Sequence, residues 1–345
     1  MDLQRMPVLA ICGYSGAGKT TLIVNLVAKL RARGLSVLVI KHDAHGLTVD
    51  REGKDSARFF AAGADVLARD PSQSFLRMQV GTQVDLTTVL RQWVFAYDAI
   101  LVEGHKATPL PYKIWLRRRT RDRAPAACGP VLLDLDRDTD RASVSESLLT
   151  PWLDRIYRQA PLLAGVLIGG QSRRMGQPKH LLMDGGRTWL ARIVAALRPV
   201  VDHVVLLGAG QIPRSCAHLP RLPDVPGCQG PMAGLRAAMR WQPEARWVFA
   251  ACDTPRLSSP AVRWLLDQAR PGIWAVQATI GPHTPAQPFP GLYDARAARA
   301  IEVAAGPSFL SRLPNTALPI VPAALRPAWR NFNTKHSLGR LKSTP

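Results

Sequence analysis

The residues best suited to chemistry lie in two glycine-rich loops. Gly13-Tyr-Ser-Gly-Ala-Gly-Lys-Thr-Thr21 has the spacing Gly-x-x-x-x-Gly-Lys-Thr of a phosphate-binding loop. Gly13, Gly16 and Gly18 let the backbone curl so that successive N–H groups face phosphate oxygens at the positive end of the following helix. Lys19 then reaches the β and γ phosphates, the Thr20 hydroxyl becomes a Mg2+ ligand, and Thr21 completes the nucleotide-contacting set. Such a site also needs a carboxylate at the end of a neighbouring strand. Glu103, after Ala99-Ile-Leu-Val, and Asp43, after the run Val37 to Ile40, are the candidates, and either could instead be a surface acid. Lys41, His42 and His45 follow the same run. A two-histidine metal site is one reading, but with no Cys or third His near in sequence a polar, phosphate-contacting crevice is preferred.

The second loop, Leu167-Ile-Gly-Gly-Gln-Ser-Arg-Arg-Met-Gly-Gln-Pro-Lys179, lacks the Gly-Lys-Thr ending and must handle phosphate differently. Gly169 and Gly170 admit backbone amides close to a base or triphosphate, while Arg173, Arg174 and Lys179 supply three cations. Gly230-Pro-Met-Ala-Gly234 precedes a helical stretch from Leu235 to Trp241. Val248-Phe-Ala-Ala-Cys-Asp253 puts an acid at the C-terminal end of a buried strand, the edge where α/β sheets hold ligands. In nucleotidyl transfer a metal neutralises the charge moving to pyrophosphate, and Asp253 is suited to hold it. Its rival role is to cap the next helix. Catalysis is accordingly expected of Lys179, Arg174 and Asp253.

Positioning these residues requires strands that end at them and helices that begin after them. Apolar β-rich runs at Val8 to Cys12, Val37 to Ile40, Ala99 to Val102, Leu162 to Ile168, His203 to Leu207, Trp247 to Ala251 and Ile273 to Val276 alternate with helical patterns. Leu22 to Ala32, closed by Gly34, is one such helix, and Trp152 to Arg158 is another. Strands alternating with helices imply parallel sheets covered on both faces. The expected class is α/β, with two doubly wound (Rossmann-like) domains: an N-terminal P-loop NTPase domain and a C-terminal nucleotidyltransferase domain. Arg117 to Arg123 is basic, Ala124 to Pro130 is rich in Pro, Ala and Gly, and Asp134 to Arg141 is charged and turn-like. The boundary is therefore expected near residues 155–161, dividing the chain into 1–158 and 159–345.

Charge is unequally shared. Residues 1–160 hold 23 basic and 17 acidic residues, whereas 161–345 hold 22 and 8, so most of the net +20 lies in the second half. Such a field attracts nucleic acid, nucleotides or phosphorylated metabolites. Dispersed basic residues and an aromatic content of 6% count against nucleic acid. No apolar run approaches the ~20 residues that span a bilayer. Residues 1–8 lack the apolar core of a secretory signal, and five scattered cysteines fit neither a disulfide framework nor paired zinc ligands. A cytoplasmic address is expected, with neither membrane nor nucleic acid as partner.

Four motifs in the first half resemble the MobB family: the Gly13 to Thr21 loop, Ile40-Lys-His-Asp-Ala-His45, Val49-Asp-Arg-Glu-Gly-Lys-Asp-Ser56 and Leu101-Val-Glu-Gly-His-Lys106. The resemblance covers roughly residues 6–116. It implies a GTP-binding accessory domain with weak hydrolysis, often dimeric, so a homodimer through this domain is expected. The second half, about residues 162–342, resembles the MobA molybdenum cofactor guanylyltransferases. Leu167, Ile168, Gly169 and Lys179 match the family's nucleotide loop, Asp224 in Leu-Pro-Asp-Val-Pro an acid contacting the nucleotide, and Asp253 the Mg2+ ligand. Gly230 to Gly234, Gln287 to Tyr293, and Asn331 with Asn333 near the pterin side also match. Departures are Lys335-His-Ser, where the family usually has Pro-Glu-Glu, and Gly208, where it often has a polar residue.

The resemblance implies transfer of GMP from MgGTP to molybdopterin or Mo-molybdopterin, giving molybdopterin guanine dinucleotide and pyrophosphate. A molybdenum insertion protein and apo-molybdoenzymes would then be partners. Cytidylyl transfer to the same pterin, a sugar-phosphate nucleotidyltransferase, and a non-catalytic GTP-binding adaptor for cofactor delivery are the alternatives. Both reactants are phosphate anions whose repulsion is a large part of the barrier, so cations and oriented amides are what catalysis requires, and no protein nucleophile is needed.

Overall fold

A computed structural model describes residues 3–41, 53–79, 85–169, 177–228, 230–304 and 306–332. The first half runs Val8–Gly13 (β1), Lys19–Ala32 (α1), Val37–Lys41 (β2), Asp55–Ala61 (α2), Val66–Arg69 (β3), Ser74–Arg77 (β4), Leu86–Trp93 (α3), Ala99–Glu103 (β5), Lys113–Leu116 (β6), Leu133–Leu135 (β7) and Arg141–Gln159 (α4). Five strands form a parallel sheet in the order β2-β5-β1-β6-β7, while β3 and β4 make a separate hairpin. All of β1 is buried because the sheet is covered on both faces. Its side chains alternate: Leu9 and Ile11 pack with Leu22, Leu26 and Leu30 of α1 and with Trp152 of α4. Val8, Ala10 and Cys12 face Leu86 and Leu90 of α3.

The segment Asp134 to Arg141 is not merely a turn. It contributes most of β7 and the start of α4, which begins well before Trp152. The acids that made it look like loop have structural work. Asp134 accepts from Arg117 Nε at 2.7 Å, and Asp140 caps α4 by accepting from the Ala142 and Ser143 N–H groups at 3.0 and 3.2 Å.

The second half runs Leu162–Leu167 (β8), Met183–Asp184 (β9), Arg187–Thr188 (β10), Trp189–Leu197 (α5), His203–Leu207 (β11), Arg221–Leu222 (β12), Pro231–Trp241 (α6), Arg246–Ala251 (β13), Ser259–Asp267 (α7), Ala275–Ala278 (β14), Gln287–Tyr293 (β15), Ala297–Val303 (α8) and Thr316–Ala317 (β16). A seven-stranded sheet has the order β12-β11-β8-β13-β15-β14-β16. It is mixed, since β15 is antiparallel to both β13 and β14. The link from β14 to β15 is too short for the crossover a parallel neighbour needs, so the chain must turn back. Ala164 and Val166 face α5 and α7 on one side, and Leu163 faces α6 and α8 on the other. The helix expected from Leu235 starts earlier, at Pro231, so Gly234 lies inside it.

The two sheets meet at the edges where their parallel strands begin. Asp98, just before β5, accepts from Ser36 N and Oγ at 2.8 Å each and from Trp274 Nε1, just before β14, at 3.0 Å. It also pairs with Arg296, which follows β15 and is held by Asp294 at 2.6 Å. Arg246, the first residue of β13, lies 4.4 Å above the Tyr157 ring of α4. The C-terminal edges of the two sheets therefore lie at opposite ends of this junction. No described helix is long and apolar enough to cross a membrane.

Candidate functional site

At the C-terminal edge of the second sheet, Leu167 of β8 is in register with Leu207 of β11 and Ala251 of β13, and Leu207 is in register with Leu222 of β12. Gly169, Asp224 and Asp253 each stand two residues beyond these aligned positions, so one register delivers all three to the same edge. They line a cavity of about 430 Å3 with Leu167, Ile168, Lys179, Gly230 and Phe289. Lys179 Nζ lies 3.6 Å from Asp253 Oδ2, both side chains about one quarter exposed or less. Lys179 is anchored by its neighbour His180, buried with its Nε2 at 2.8 Å from Gln211 O. Asp253 does not cap α7, whose N-cap is Ser258.

Backbone approach is close here. Gly208 has φ +107°, and a Cβ on it would stand 3.2 Å from Gly169 N and 3.5 Å from Asp224 Oδ1. A side chain at 208 would intrude on the Gly169 amide, so glycine suits this position. Phe332 N donates to Asp253 O at 2.9 Å, and the buried Phe332 ring packs on Trp189. This brings the exposed Asn331 beside the cleft, its Nδ2 3.5 Å from Gln287 Oε1. Burial first, and Asp253 second, push the Cys252 thiol far above its ordinary range, so it stays neutral. Gly170, Arg173, Arg174 and Asn333 lie outside the described residues.

At the C-terminal edge of the first sheet, Gly13 is in register with Leu116, and Glu103 with both Ile11 and Lys41. Gly13 has φ +151°, and a Cβ there would meet Leu116 O at 2.5 Å, so only glycine fits. Lys19, at the start of α1, donates to Tyr14 O at 3.1 Å. Thr20 Oγ1 reaches Glu103 Oε1 at 3.5 Å, joining two of the expected metal-contacting groups. Gly16 and Gly18 lie in the loop between, and Thr21 is exposed on the first turn of α1. Cys12, beneath the loop, donates to Gly104 O, and burial followed by the neighbouring Cys128 pushes its thiol up to about 12. His42, Asp43 and His45 lie outside the described residues.

Two family profiles match the chain: "Molybdopterin guanine dinucleotide synthesis protein B" over residues 8–133 and "MobA-like NTP transferase domain" over 164–316. The first part is 42% identical over 119 residues to a "Molybdopterin-guanine dinucleotide biosynthesis adapter protein" of Haemophilus influenzae, covering 34% of this chain and 66% of the relative. It is 33% identical over 123 residues to a "Probable molybdopterin-guanine dinucleotide biosynthesis adapter protein" of Bacillus subtilis, covering 34% and 69%. The second part is 32% identical over 133 residues to a "Probable molybdenum cofactor guanylyltransferase" of Deinococcus radiodurans, covering 39% and 67%. The chain belongs to both families. It fuses a MobB domain to a MobA-like NTP transferase domain. Against the first relatives it matches, it spans about half to two thirds of their length.

Within this MobB and MobA-like fusion, several site residues carry no sequence signal. His180 of the MobA-like domain looks like an ordinary loop residue until it is seen to brace Lys179, and Phe289, inside the matched Gln287 to Tyr293 segment, lines the cavity. In the MobB domain, Arg118 and Arg141 come from a basic run and a turn-like stretch, yet both reach the Gly13 loop.

Proposed function

We propose that the chain acts in molybdenum cofactor biosynthesis, its MobA-like domain transferring GMP from MgGTP to molybdopterin or Mo-molybdopterin. The observation that carries this reading is Lys179 paired with Asp253 at 3.6 Å in a cavity also lined by Leu167, Ile168 and Gly169, inside a MobA-like domain. A terminal phosphate oxygen of the pterin attacks the α-phosphorus of GTP, the new P–O bond forms as the α–β bridge breaks, and pyrophosphate leaves with the electron pair. Lys179 and Arg174 neutralise the converging phosphates, the amides of the Leu167 to Gly170 segment orient the triphosphate, Asp224 binds the nucleotide, and Asn331 and Asn333 flank the pterin. Neutral Cys12 and Cys252 are unsuited to nucleophilic roles, and none is required.

Mg2+ fits the donors present. It takes one or two carboxylates along with substrate phosphates and water, and Asp253 in one site and Thr20 with Glu103 in the other offer that sparse oxygen set. When bound, it supplies charge neutralisation at the phosphates.

In this reading residues 1–158 form an accessory GTP-binding unit with weak hydrolysis, held by Gly13, Gly16, Gly18, Lys19, Thr20 and Thr21, and residues 159–345 form the transferase. A molybdenum insertion protein and apo-molybdoenzymes are its partners, and the cytoplasm its location. A homodimer through the MobB domain is supported by Phe59, Leu67, Leu76 and Met78, all more than half exposed on α2 and around the β3–β4 hairpin. Incubating the protein with molybdopterin, Mg2+ and each of the four NTPs, then identifying the dinucleotide, tests the reading. A guanine dinucleotide is expected; a cytosine product would move the activity to cytidylyl transfer.

A further inference from the structure

Arg141 begins α4, far in sequence from the Gly13 loop, yet its side chain reaches that loop. A Cβ placed on Gly18 would stand 3.9 Å from Arg141 Nε. Its Nη1 is buried and has no hydrogen-bond partner. Burial alone pushes its pKa down. A guanidinium nitrogen is rarely left in this condition in a native interior. Structural duties nearby are met by other residues: Asp140 caps the helix, and Lys29–Glu146 at 3.2 Å and Arg33–Thr150 at 2.9 Å join α4 to α1 above a shared apolar core. Arg118 flanks the other side, its Cδ 3.9 Å from where a Cβ on Gly16 would be, with Asp122 at 3.8 Å from its Nε. Lys19, meanwhile, is turned back onto Tyr14 O.

We infer that Arg141 is a polyphosphate-binding residue of the MobB domain, its partly buried guanidinium donating to a phosphate oxygen beside Gly18 when a nucleoside triphosphate occupies the loop. The inference rests on reading that loop as a nucleotide site, and deepens it by adding a cation the motif itself does not contain. Arg141 contacts phosphate and not the base. Charge-assisted bonds of this kind carry about a 10- to 100-fold change in affinity. Because the buried nitrogen is unpaired without ligand, removing it should leave the melting temperature of the ligand-free protein unchanged or raised.

The test is equilibrium dialysis of the full-length protein with labelled GTP and Mg2+, with tripolyphosphate as competitor. Wild type should show two sites, and Lys19→Ala should lose one. Arg141→Ala should weaken that same site about 10- to 100-fold, leave the other unchanged, and weaken tripolyphosphate competition by the same factor. Arg141→Lys should recover part of the loss. If Lys19→Ala removes a site that Arg141→Ala leaves intact, the role of Arg141 is overturned while the loop reading stands. A loss for GTP without any change for tripolyphosphate overturns the phosphate contact in favour of the base. A fall of several degrees in the ligand-free melting temperature would make Arg141 structural. If no site responds to Lys19→Ala, the loop reading itself fails.

Discussion

Replacing Asp98 by alanine should loosen the two domains from each other without touching either nucleotide site. The Asp98 side chain is almost fully buried at the junction, where it accepts from Ser36 N, Ser36 Oγ and Trp274 Nε1 and pairs with Arg296. Breaking a buried ion pair by removing one partner costs about 3–5 kcal/mol. Arg296 would keep Asp294 at 2.6 Å, so the lower end, about 3 kcal/mol, is expected. That is a large share of the ~5–15 kcal/mol that holds a typical protein folded, and it falls on an interdomain contact. Calorimetric unfolding should therefore separate into two transitions or broaden markedly. A double-mutant cycle with Arg296→Ala should return about 1–3 kcal/mol of coupling. Because the ligand edges lie at the far ends of both sheets, GTP binding and nucleotidyl transfer should change less than about twofold, given the weak coupling of distant sites. A destabilisation below about 1 kcal/mol, or no coupling to Arg296, would refute the reasoning.

Other outcomes follow from the two sites. Asp253→Asn should lower dinucleotide synthesis by ~100-fold or more with little effect on folding, read by steady-state product formation, on the scale of a lost transition-state charge contact. Lys19→Ala should abolish GTP hydrolysis by the MobB domain while transfer persists; loss of transfer in a protein still binding GTP at the first site would argue for one composite active site. Binding to DNA or RNA should be weak and unspecific at physiological salt, since scattered arginines neutralise few phosphates along any one track. Sub-micromolar affinity by fluorescence anisotropy would contradict this. Asp85 caps α3, and the Thr88 N–H and hydroxyl hold its carboxyl below the usual range. Its contribution to stability is therefore present above the unfolded carboxylate pKa of about 4 and lost as pH falls through the lower folded value. Asp85→Asn should flatten that part of the acid-unfolding curve.

Much of the fold was legible because its buried strands are continuous apolar runs between turn signals. His203–Leu207 was foreseen residue for residue, and β1, β2, β5, β8 and β13 to within one residue at either end. The apolar run at Ile273 begins two residues before β14, because Trp274 is occupied at the domain junction. What stayed hidden was structure made by pairing. β7 is three residues with an acid at its centre, and only Arg117, fixed on β6's exit, shows why Asp134 can sit in a sheet. The antiparallel β15 depends on which neighbour it meets, and no local pattern carries that. In the sites, Gly13, Gly18, Lys19 and Asp253 announce themselves by spacing. Arg141 is recruited from a helix that only the tertiary structure brings to the Gly13 loop, so nothing in its own surroundings marks it.

The most direct test of the central claim follows the two ends of the triphosphate. The full-length protein is supplied with molybdopterin, Mg2+ and GTP labelled at either the α or the γ phosphate. A transferase at the Asp253 and Lys179 cleft should carry the α label into molybdopterin guanine dinucleotide and release the γ label as pyrophosphate, in equal amounts. Release of the γ label as inorganic phosphate, with no α label in any pterin product, would mean that the chain only hydrolyses GTP at the Gly13 loop, and would contradict the account.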